Sequence, residues 1–212
     1  MGAFRPGGVS LRPDVSCPVC DAAERHRLAW FFLTDHTDLF DGNGKRLLHV
    51  APEHEFKQRL ERIRYIDYYS ASLSGNGTRV KMDITAIPFP ADHFDAIYCS
   101  HVLEHVANDR EAMQEFHRVL RCGGWAILQV PIEPGLTATF EDLSITDPHE
   151  RLKLFGQEDH VRLYGADYAD RLREAGFAVR AISSSSVVGE KNVRKWGIDK
   201  AESIFLCTKK RE

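Results

Sequence analysis

Strand-like and helix-like segments alternate along most of this chain, and that alternation is what most constrains its fold. Short apolar runs alternate with segments whose apolar side chains recur at helical spacing. The runs predicted as strands are residues 46–51, 65–71, 79–82, 94–100 and 125–130. The segments predicted as helices are residues 21–39, 53–62 and 109–120. Such alternation predicts a parallel sheet with helices on both faces.

The C-terminal part departs from this alternation. After a predicted helix at residues 167–175, two strands are predicted at 177–183 and 203–209. No amphipathic segment of helical length lies clearly between them, so we expect a final antiparallel hairpin. One late antiparallel strand beside a mainly parallel sheet is a common arrangement.

Composition and charge exclude several classes of protein. The 212 residues are 43% hydrophobic and carry a formal net charge of −3, which gives no general attraction to nucleic acid. No run of about 18 apolar residues is present, so no membrane helix is expected. The start of the chain lacks the apolar segment of a secretory signal, and five cysteines imply no disulfide framework. We therefore predict a cytoplasmic protein.

Polar and ionisable side chains follow several of the predicted strands. Asp83 comes after the third, Ser100 and His101 after the fourth, and Glu133 after the fifth. Ligands of open α/β sheets bind outside the carboxyl ends of the strands. The sequence therefore predicts a ligand site on this edge.

One continuous segment indicates the ligand. It reads DITAIPFPADHFD at residues 83–95, then HVLEH at 101–105 and LRCGG at 120–124. In this order the motifs resemble the core of class I S-adenosylmethionine (SAM)-dependent methyltransferases of the small-molecule type, and the resemblance extends over residues 45–210. It implies a Rossmann-like α/β fold with a seven-stranded, mostly parallel sheet. We predict two parts: residues 1–44, with an arm, a CxxC motif and a helix, and a methyltransferase domain at 45–212.

The resemblance also implies roles for individual residues at one end of the cofactor. Asp83 would accept a hydrogen bond from the adenine amino group, and Ile84 would pack on the adenine ring. A carboxylate suits this role because it only accepts, whereas the amino group only donates. Ser100 and His101 would lie beside the methionine part of SAM.

The other end of the cofactor site departs from the family pattern. Where the family has an acidic residue followed by a glycine-rich turn, this chain has His49, Ala51 and Glu53, and Ser72 stands at the position of the ribose-binding acid. Glycine normally lets the backbone approach the cofactor closely. In this altered form Glu53 would bind the ribose from a helix start.

The carboxylate of SAM needs a cation. Arg25 and Arg27 precede the first strand of the domain and are candidates for a bidentate contact. The alternative is an exposed basic turn of a helix.

Cys17 and Cys20 have the spacing of zinc ligands, and His26 is a candidate third ligand. A structural zinc site needs four ligands, and no second CxxC motif follows. The alternatives are a packed or redox-sensitive thiol pair.

The segment between residues 133 and 162 shows little apolar periodicity and is predicted to be an irregular substrate loop. If the acceptor must lose a proton, His105 and His160 are the candidate bases, because histidine titrates near neutral pH. Glu133, Arg162 and Tyr164 are the candidate substrate-binding residues.

Three hypotheses follow from these residues. The first is a methyltransferase that transfers the methyl group of SAM to an oxygen or nitrogen of a polar small molecule. The second is a catalytically silent partner protein with the same fold, suggested by the altered turn. The third is a zinc-assisted RNA methyltransferase, suggested by Cys17 and Cys20.

Overall fold

The structure is a computed structural model, and it describes residues 5–7 and 12–210. The chain forms two compact units. The first comprises Glu53–Ile66, Ala181–Ile204 and the described residues of Met1–Gly44. The second comprises Lys45–Pro52, Asp67–Arg180 and the described residues of Phe205–Glu212.

The first unit is mainly helical. Its strands β1 (Arg5–Gly7) and β2 (Arg12–Ser16) pair antiparallel. Its helices are α1 (Glu24–Asp35), α2 (His54–Leu60), α6 (Ser184–Val188) and α7 (Glu190–Lys195). Aromatic side chains join α1 to α2, since the Trp30 ring lies 5.5 Å from that of Phe56.

Arg27 holds this first unit together. Its guanidinium donates to the carbonyls of Val15, Ala22, Trp196 and Gly197 at 2.6–2.9 Å. One half-buried side chain therefore ties β2 and the start of α1 to the segment after α7. Hydrogen bonds from a charged donor are stronger than neutral ones, so this contact fixes the fold of the unit.

The second unit is built on a β-sheet. The strands after β2 are β3 (Lys45–Val50), β4 (Ile66–Ser72), β5 (Val80–Lys81), β6 (Phe94–Ser100), β7 (Leu120–Gln129), β8 (Phe140–Glu141), β9 (Arg162–Leu163), β10 (Ala178–Ser183) and β11 (Ser203–Thr208). Of these strand residues, Ile66, 181–183 and 203–204 belong to the first unit. The helices of the second unit are α3 (Asp109–Val119), α4 (Pro148–Phe155), α5 (Tyr168–Glu174) and a short 3₁₀ helix at Leu103–His105.

The predicted sheet is confirmed. Seven strands pair in the order β10-β11-β7-β6-β3-β4-β5. β6 is parallel to both β3 and β7, whereas β11 is antiparallel to β7. β6 is central, and six of its seven residues are buried, which explains its continuous apolar sequence.

Two segments contain helices that the sequence did not indicate. The predicted substrate loop contains α4, which begins with Asp147 accepting a hydrogen bond from the Glu150 N–H and with Pro148 at its first turn. Asp-Pro is a helix-start signal that could have been recognised. Helices α6 and α7 lie between β10 and β11, and they have only five and six residues, too few to show a helical period.

Across the described part of the chain, no helix combines the length and the apolar character needed to cross a bilayer.

Gly123 and Gly124 lie within β7, where the register with β6 shifts between Phe94 and Ala96. Gly123 has a φ of +77°, and its N–H donates to the Lys209 carbonyl. A Cβ on Gly124 would stand 2.8 Å from the Asp95 carbonyl oxygen. The two glycines therefore serve different needs, one for backbone conformation and one for space.

We expect Gly124→Ala to lower the free energy of unfolding by about 2 kcal/mol, because the new methyl group would press on main-chain atoms that cannot rotate away. Urea denaturation would measure the loss. Gly44→Ala is the matched control, since its Cβ would meet only the Tyr65 carbonyl at 3.7 Å. Equal stabilities for the two variants would contradict this packing argument.

Candidate functional site

Ala51, in the turn after β3, has a backbone conformation that favours glycine. Ala51 has a φ of +46°, and its N–H donates to the Ala71 carbonyl at 2.7 Å. A left-handed conformation costs a residue with a Cβ about 1–2 kcal/mol. His49, just before it, is fully buried, and its Nδ1 lies 2.9 Å from the Tyr68 hydroxyl. The ring of His49 therefore packs against Tyr68 in the interior of the second unit.

Asp83 lies beyond β5 and is exposed. Its Oδ1 accepts hydrogen bonds from the N–H and hydroxyl of Thr85 at 2.9 and 2.8 Å. One carboxylate oxygen thus closes a turn, and hydrogen bonding within this turn does not use the other. Ile84 beside it is 5% exposed and belongs to the core. Ser72, at the end of β4, accepts a hydrogen bond from the Gly75 N–H.

The loop after β6 carries a second strained residue. His101 has a φ of +54°, and its N–H donates to the Gln129 carbonyl at 2.9 Å. Ser100, just before it, is buried. Strained backbone at a non-glycine residue is found preferentially at functional sites. The loop after β6, residues 101–108, contains the short helix Leu103–His105.

Both histidines predicted to be bases lie together at this loop. The rings of His105 and His160 meet edge to face with centroids 4.7 Å apart. His105 Nδ1 lies 3.1 Å from Asp159 Oδ2, and His160 Nδ1 lies 3.2 Å from the Phe155 carbonyl oxygen. Burial lowers the pKa of His160, so its neutral form is favoured.

Arg162 binds main-chain carbonyls of the same loop. It is 1% exposed, and its guanidinium donates to the carbonyls of Leu103, Val106 and Ala107. It also donates to Glu141 Oε2 at 3.0 Å. The N–H groups of the guanidinium are therefore bound to main-chain carbonyls and to Glu141. These contacts fix the position of the segment that carries His105.

A buried charge network continues from Arg162. Arg171 donates to Glu141 Oε1 at 2.7 Å and to Asp109 Oδ2 at 3.0 Å. Tyr164, which is fully buried, donates its hydroxyl to the same oxygen of Asp109 at 2.7 Å. Burial raises the pKa of Tyr164 well above its ordinary value, so its hydroxyl keeps its proton. Glu133 is exposed, and its N–H donates to the Tyr164 carbonyl.

The remaining predicted residues lie in the first unit. The Arg27 guanidinium binds the four carbonyls named above. His26 accepts a hydrogen bond at Nδ1 from the Ala23 N–H and points Nε2 toward Glu53 Oε1 at 3.6 Å. Glu53 precedes the first residue of α2, and Arg25 is half-buried on α1.

Cys17 and Cys20 are both partly buried. Burial by itself would raise the pKa of Cys17, but hydrogen bonds from the backbone N–H groups of Val19 and Cys20 lower it below its usual value. Among the residues that the structure describes, these cysteines and His26 do not form a group of three converging ligand atoms. The geometry therefore gives no support to the predicted zinc site.

Sequence reasoning missed four residues that shape this site: Glu104, Asp109, Glu141 and Arg171. Glu104 is 1% exposed although it lies in a loop, and the HVLEH motif was the available signal. The other three belong to a network whose members are far apart in sequence, so no local pattern could reveal it.

Comparison with known proteins finds similar sequences and similar folds. Residues 42–128 match a family model described as "Methyltransferase domain". A protein of Streptomyces fradiae, described as an uncharacterized 37.1 kDa protein in transposon TN4556, is 31% identical over 102 residues. That match spans 47% of this chain and 29% of the relative, so the chain covers less than a third of the relative's length.

Solved structures share the fold at low sequence identity. A SAM-dependent methyltransferase from Archaeoglobus fulgidus is 13% identical with a TM-score of 0.55, covering 89% of this chain and 95% of the other. Phosphoethanolamine N-methyltransferase 2 of Haemonchus contortus, solved with SAM, is 12% identical with a TM-score of 0.54, covering 98% and 54%. The [4+2]-cyclase SpnF is 17% identical with a TM-score of 0.55, covering 90% and 83%. The second unit therefore has the Rossmann-like methyltransferase fold.

We expect Glu141→Gln to destabilise the protein by about 2 kcal/mol at neutral pH, because it removes one of the two carboxylates that pair with both of the buried arginines, Arg162 and Arg171. Partial burial would raise the pKa of Glu141, but the hydrogen bonds from Arg171 and Arg162 lower it below its usual value. The stabilisation is therefore present above the pKa of the unfolded state, about 4.3, and is lost as the pH falls through the lower folded-state value.

Urea denaturation of both proteins at a series of pH values measures this. The difference between wild type and Glu141→Gln should be constant near neutrality and shrink in acid. Glu158→Gln, at an exposed position outside the helices, is the control and should leave stability unchanged. A difference independent of pH would contradict a role for the charge.

Proposed function

We propose that this protein is a SAM-dependent methyltransferase that acts on a polar small molecule. The observation that carries the proposal is the match of residues 42–128 to a methyltransferase domain. Within that match, Ala51 in the turn after β3 has a left-handed backbone conformation. Polar side chains also follow the ends of the strands at the edge of the sheet. When bound, SAM supplies an electrophilic methyl group, so the protein has mainly to align the acceptor with it.

The described residues of the second unit fit SAM. Ala51 has a φ of +46°, in the left-handed region that favours glycine, so the turn has a glycine-like backbone at this position and adds only a methyl group there. Asp83 offers an exposed carboxylate oxygen that its own turn does not use. Its proposed partner is the adenine amino group, with Ile84 beneath the ring. Ser100 and His101 are proposed to lie along the methionine part.

The assignments of the altered positions are refined by their contacts. We assign His49 to packing against Tyr68 rather than to direct contact with the cofactor, because its ring is fully buried. Ser72 closes its own turn and stays a candidate for the ribose. The roles of Glu53, Arg25 and Arg27 toward SAM, and the division of the chain at residue 44, stay predictions.

For the acceptor, we assign Arg162 and Tyr164 to positioning the loop after β6, because both are buried and bound to protein groups. Glu133 is exposed and stays a candidate for contact with the acceptor. His105, with its ring partly exposed and held by Asp159, is the proposed base where the acceptor must lose a proton. A cytoplasmic location and a small-molecule acceptor are part of the same proposal.

A catalytically silent protein of the same fold is the second candidate. It is favoured by His49, Ala51 and Glu53, which replace the acid and glycines of the usual turn. The shared fold does not decide the reaction, since the similar structure SpnF is described as a [4+2]-cyclase. Binding of SAM separates the two candidates.

We expect Asp83→Asn to weaken the binding of SAM and S-adenosylhomocysteine about tenfold, which corresponds to about 1.4 kcal/mol for a hydrogen bond to a charged acceptor. The asparagine carbonyl can still accept from Thr85, so the turn should survive. Isothermal titration calorimetry measures both affinities.

Asp142→Asn is the matched control. Asp142 Oδ1 accepts from the N–H and hydroxyl of Ser144 in the same arrangement, and we place it outside the cofactor site. This variant should bind SAM as the wild type does. Absence of SAM binding to the wild type at millimolar concentration would overturn the proposed function, and equal losses in both variants would overturn the role of Asp83.

A further inference from the structure

Three side chains converge beside the loop after β6. One ligand atom each from Glu104, His105 and His160 lies within 4.8 Å of the other two. Glu104 and His105 come from the short helix Leu103–His105, and His160 lies two residues before β9. A carboxylate and two imidazoles in one place are a familiar ligand set for a divalent metal ion.

The carboxylate of Glu104 is the first sign that something binds here. Glu104 is 1% exposed, yet among the residues that the structure describes neither of its carboxylate oxygens has a hydrogen-bond partner. Its Oε1 lies 3.3 Å from His101 Nδ1 without the geometry of a hydrogen bond. A buried ionised carboxylate without hydrogen bonds is costly, and a cation coordinated by it would offset that cost.

The histidines supply the second sign. His160 Nδ1 lies 3.2 Å from the Phe155 carbonyl oxygen, which can only accept, so in the neutral ring Nδ1 carries the proton and Nε2 keeps a lone pair. His105 Nδ1 lies 3.1 Å from Asp159 Oδ2, which places the ring beside a carboxylate. The Nε2 of His160 is buried and has no hydrogen-bond partner within the described part of the chain. Metal-binding histidines almost always show this pattern, with the other ring nitrogen donating to a carbonyl or carboxylate.

The distances suit one ion after a small adjustment. Three atoms within 4.8 Å of one another each lie within about 2.8 Å of a common centre, whereas a ligand nitrogen or oxygen binds zinc at about 2.0–2.2 Å. An inward movement of less than about 1 Å per atom would complete the coordination. Rotation of the partly exposed His105 ring, which is 32% accessible, contributes most easily to that movement.

We propose that Glu104, His105 and His160 form a binding site for a divalent first-row transition-metal ion. Two imidazoles favour such an ion over Mg²⁺ or Ca²⁺, which prefer ligands that are all oxygen. Three protein ligands leave coordination positions open, as in metal sites that bind a substrate. The buried Arg162 holds the carbonyls of the loop and so fixes two of the three ligands.

The open positions give the ion a use, and this use rests on the proposed function. An acceptor hydroxyl bound to the ion would release its proton to solvent more readily, because a divalent ion lowers the pKa of a bound oxygen. The acceptor class is then a molecule with a hydroxyl or a pair of neighbouring oxygens. In this arrangement His105 and His160 hold the ion instead of removing the proton.

Titration of the full chain with Co²⁺, followed by visible absorbance, tests the site directly. The wild type should bind one equivalent with the spectrum of a nitrogen- and oxygen-ligated ion. The titration is repeated in a Cys17→Ser/Cys20→Ser background, because cobalt bound to thiolates shows a strong near-ultraviolet band. Binding that disappears with the cysteines would overturn the proposal.

Glu104→Gln and His105→Gln should each weaken Co²⁺ binding at least tenfold, since even residues that only support metal ligands contribute that much. His105 is partly exposed, so this variant should fold, which circular dichroism would check. His149→Gln removes an exposed histidine of the same unit and should bind as the wild type does. Unchanged affinity in both ligand variants, or no binding by the wild type, would overturn the proposal.

SAM binding measured on the same samples separates the two proposals. A protein that binds SAM but no cobalt keeps the proposed function and loses the metal site. A protein that binds cobalt at these residues but no SAM keeps the metal site and loses the proposed function.

Discussion

The candidate site depends on one buried side chain, Arg162. Its guanidinium binds the carbonyls of Leu103, Val106 and Ala107, all of which lie in the loop after β6. A buried charge needs compensation, and Glu141 and Asp109 provide it. Arg171 and Tyr164 complete the set through the same carboxylates. Charge pairing under the surface thus gives a loop the rigidity that a helix or strand would otherwise supply.

The sheet could be predicted from the sequence because its signals are local. Apolar runs such as β6 and the helical period of α3 need only neighbouring residues to be recognised. The antiparallel pairing of β11 was also expected. The short helices α6 and α7 were not, because a helix of one or two turns shows no period. Helix α4 was missed although Asp147 and Pro148 marked its start.

The site was harder to predict than the fold. The motif DITAIPFPADHFD pointed to Asp83, and HVLEH pointed to His101 and His105, so resemblance supplied the residues near the strand ends. It did not reveal that Glu104 is buried or that Arg162 faces inward. Both facts depend on contacts between segments more than 50 residues apart, such as Arg162 with Leu103. From the sequence alone, a charged residue in a polar segment is predicted to be exposed, because the distant residue that binds it is not known.

The three residues that converge at the proposed metal site come from two segments that lie more than 50 residues apart in the sequence. Glu104 and His105 follow the central strand β6, whereas His160 comes after α3, β7 and α4 in the sequence. Bringing such distant segments together carries the entropic cost of closing a long loop. A chain in which this loop is open would hold the first two side chains without the third. The complete ligand set therefore exists only where the two segments are packed together as they are in the folded second unit.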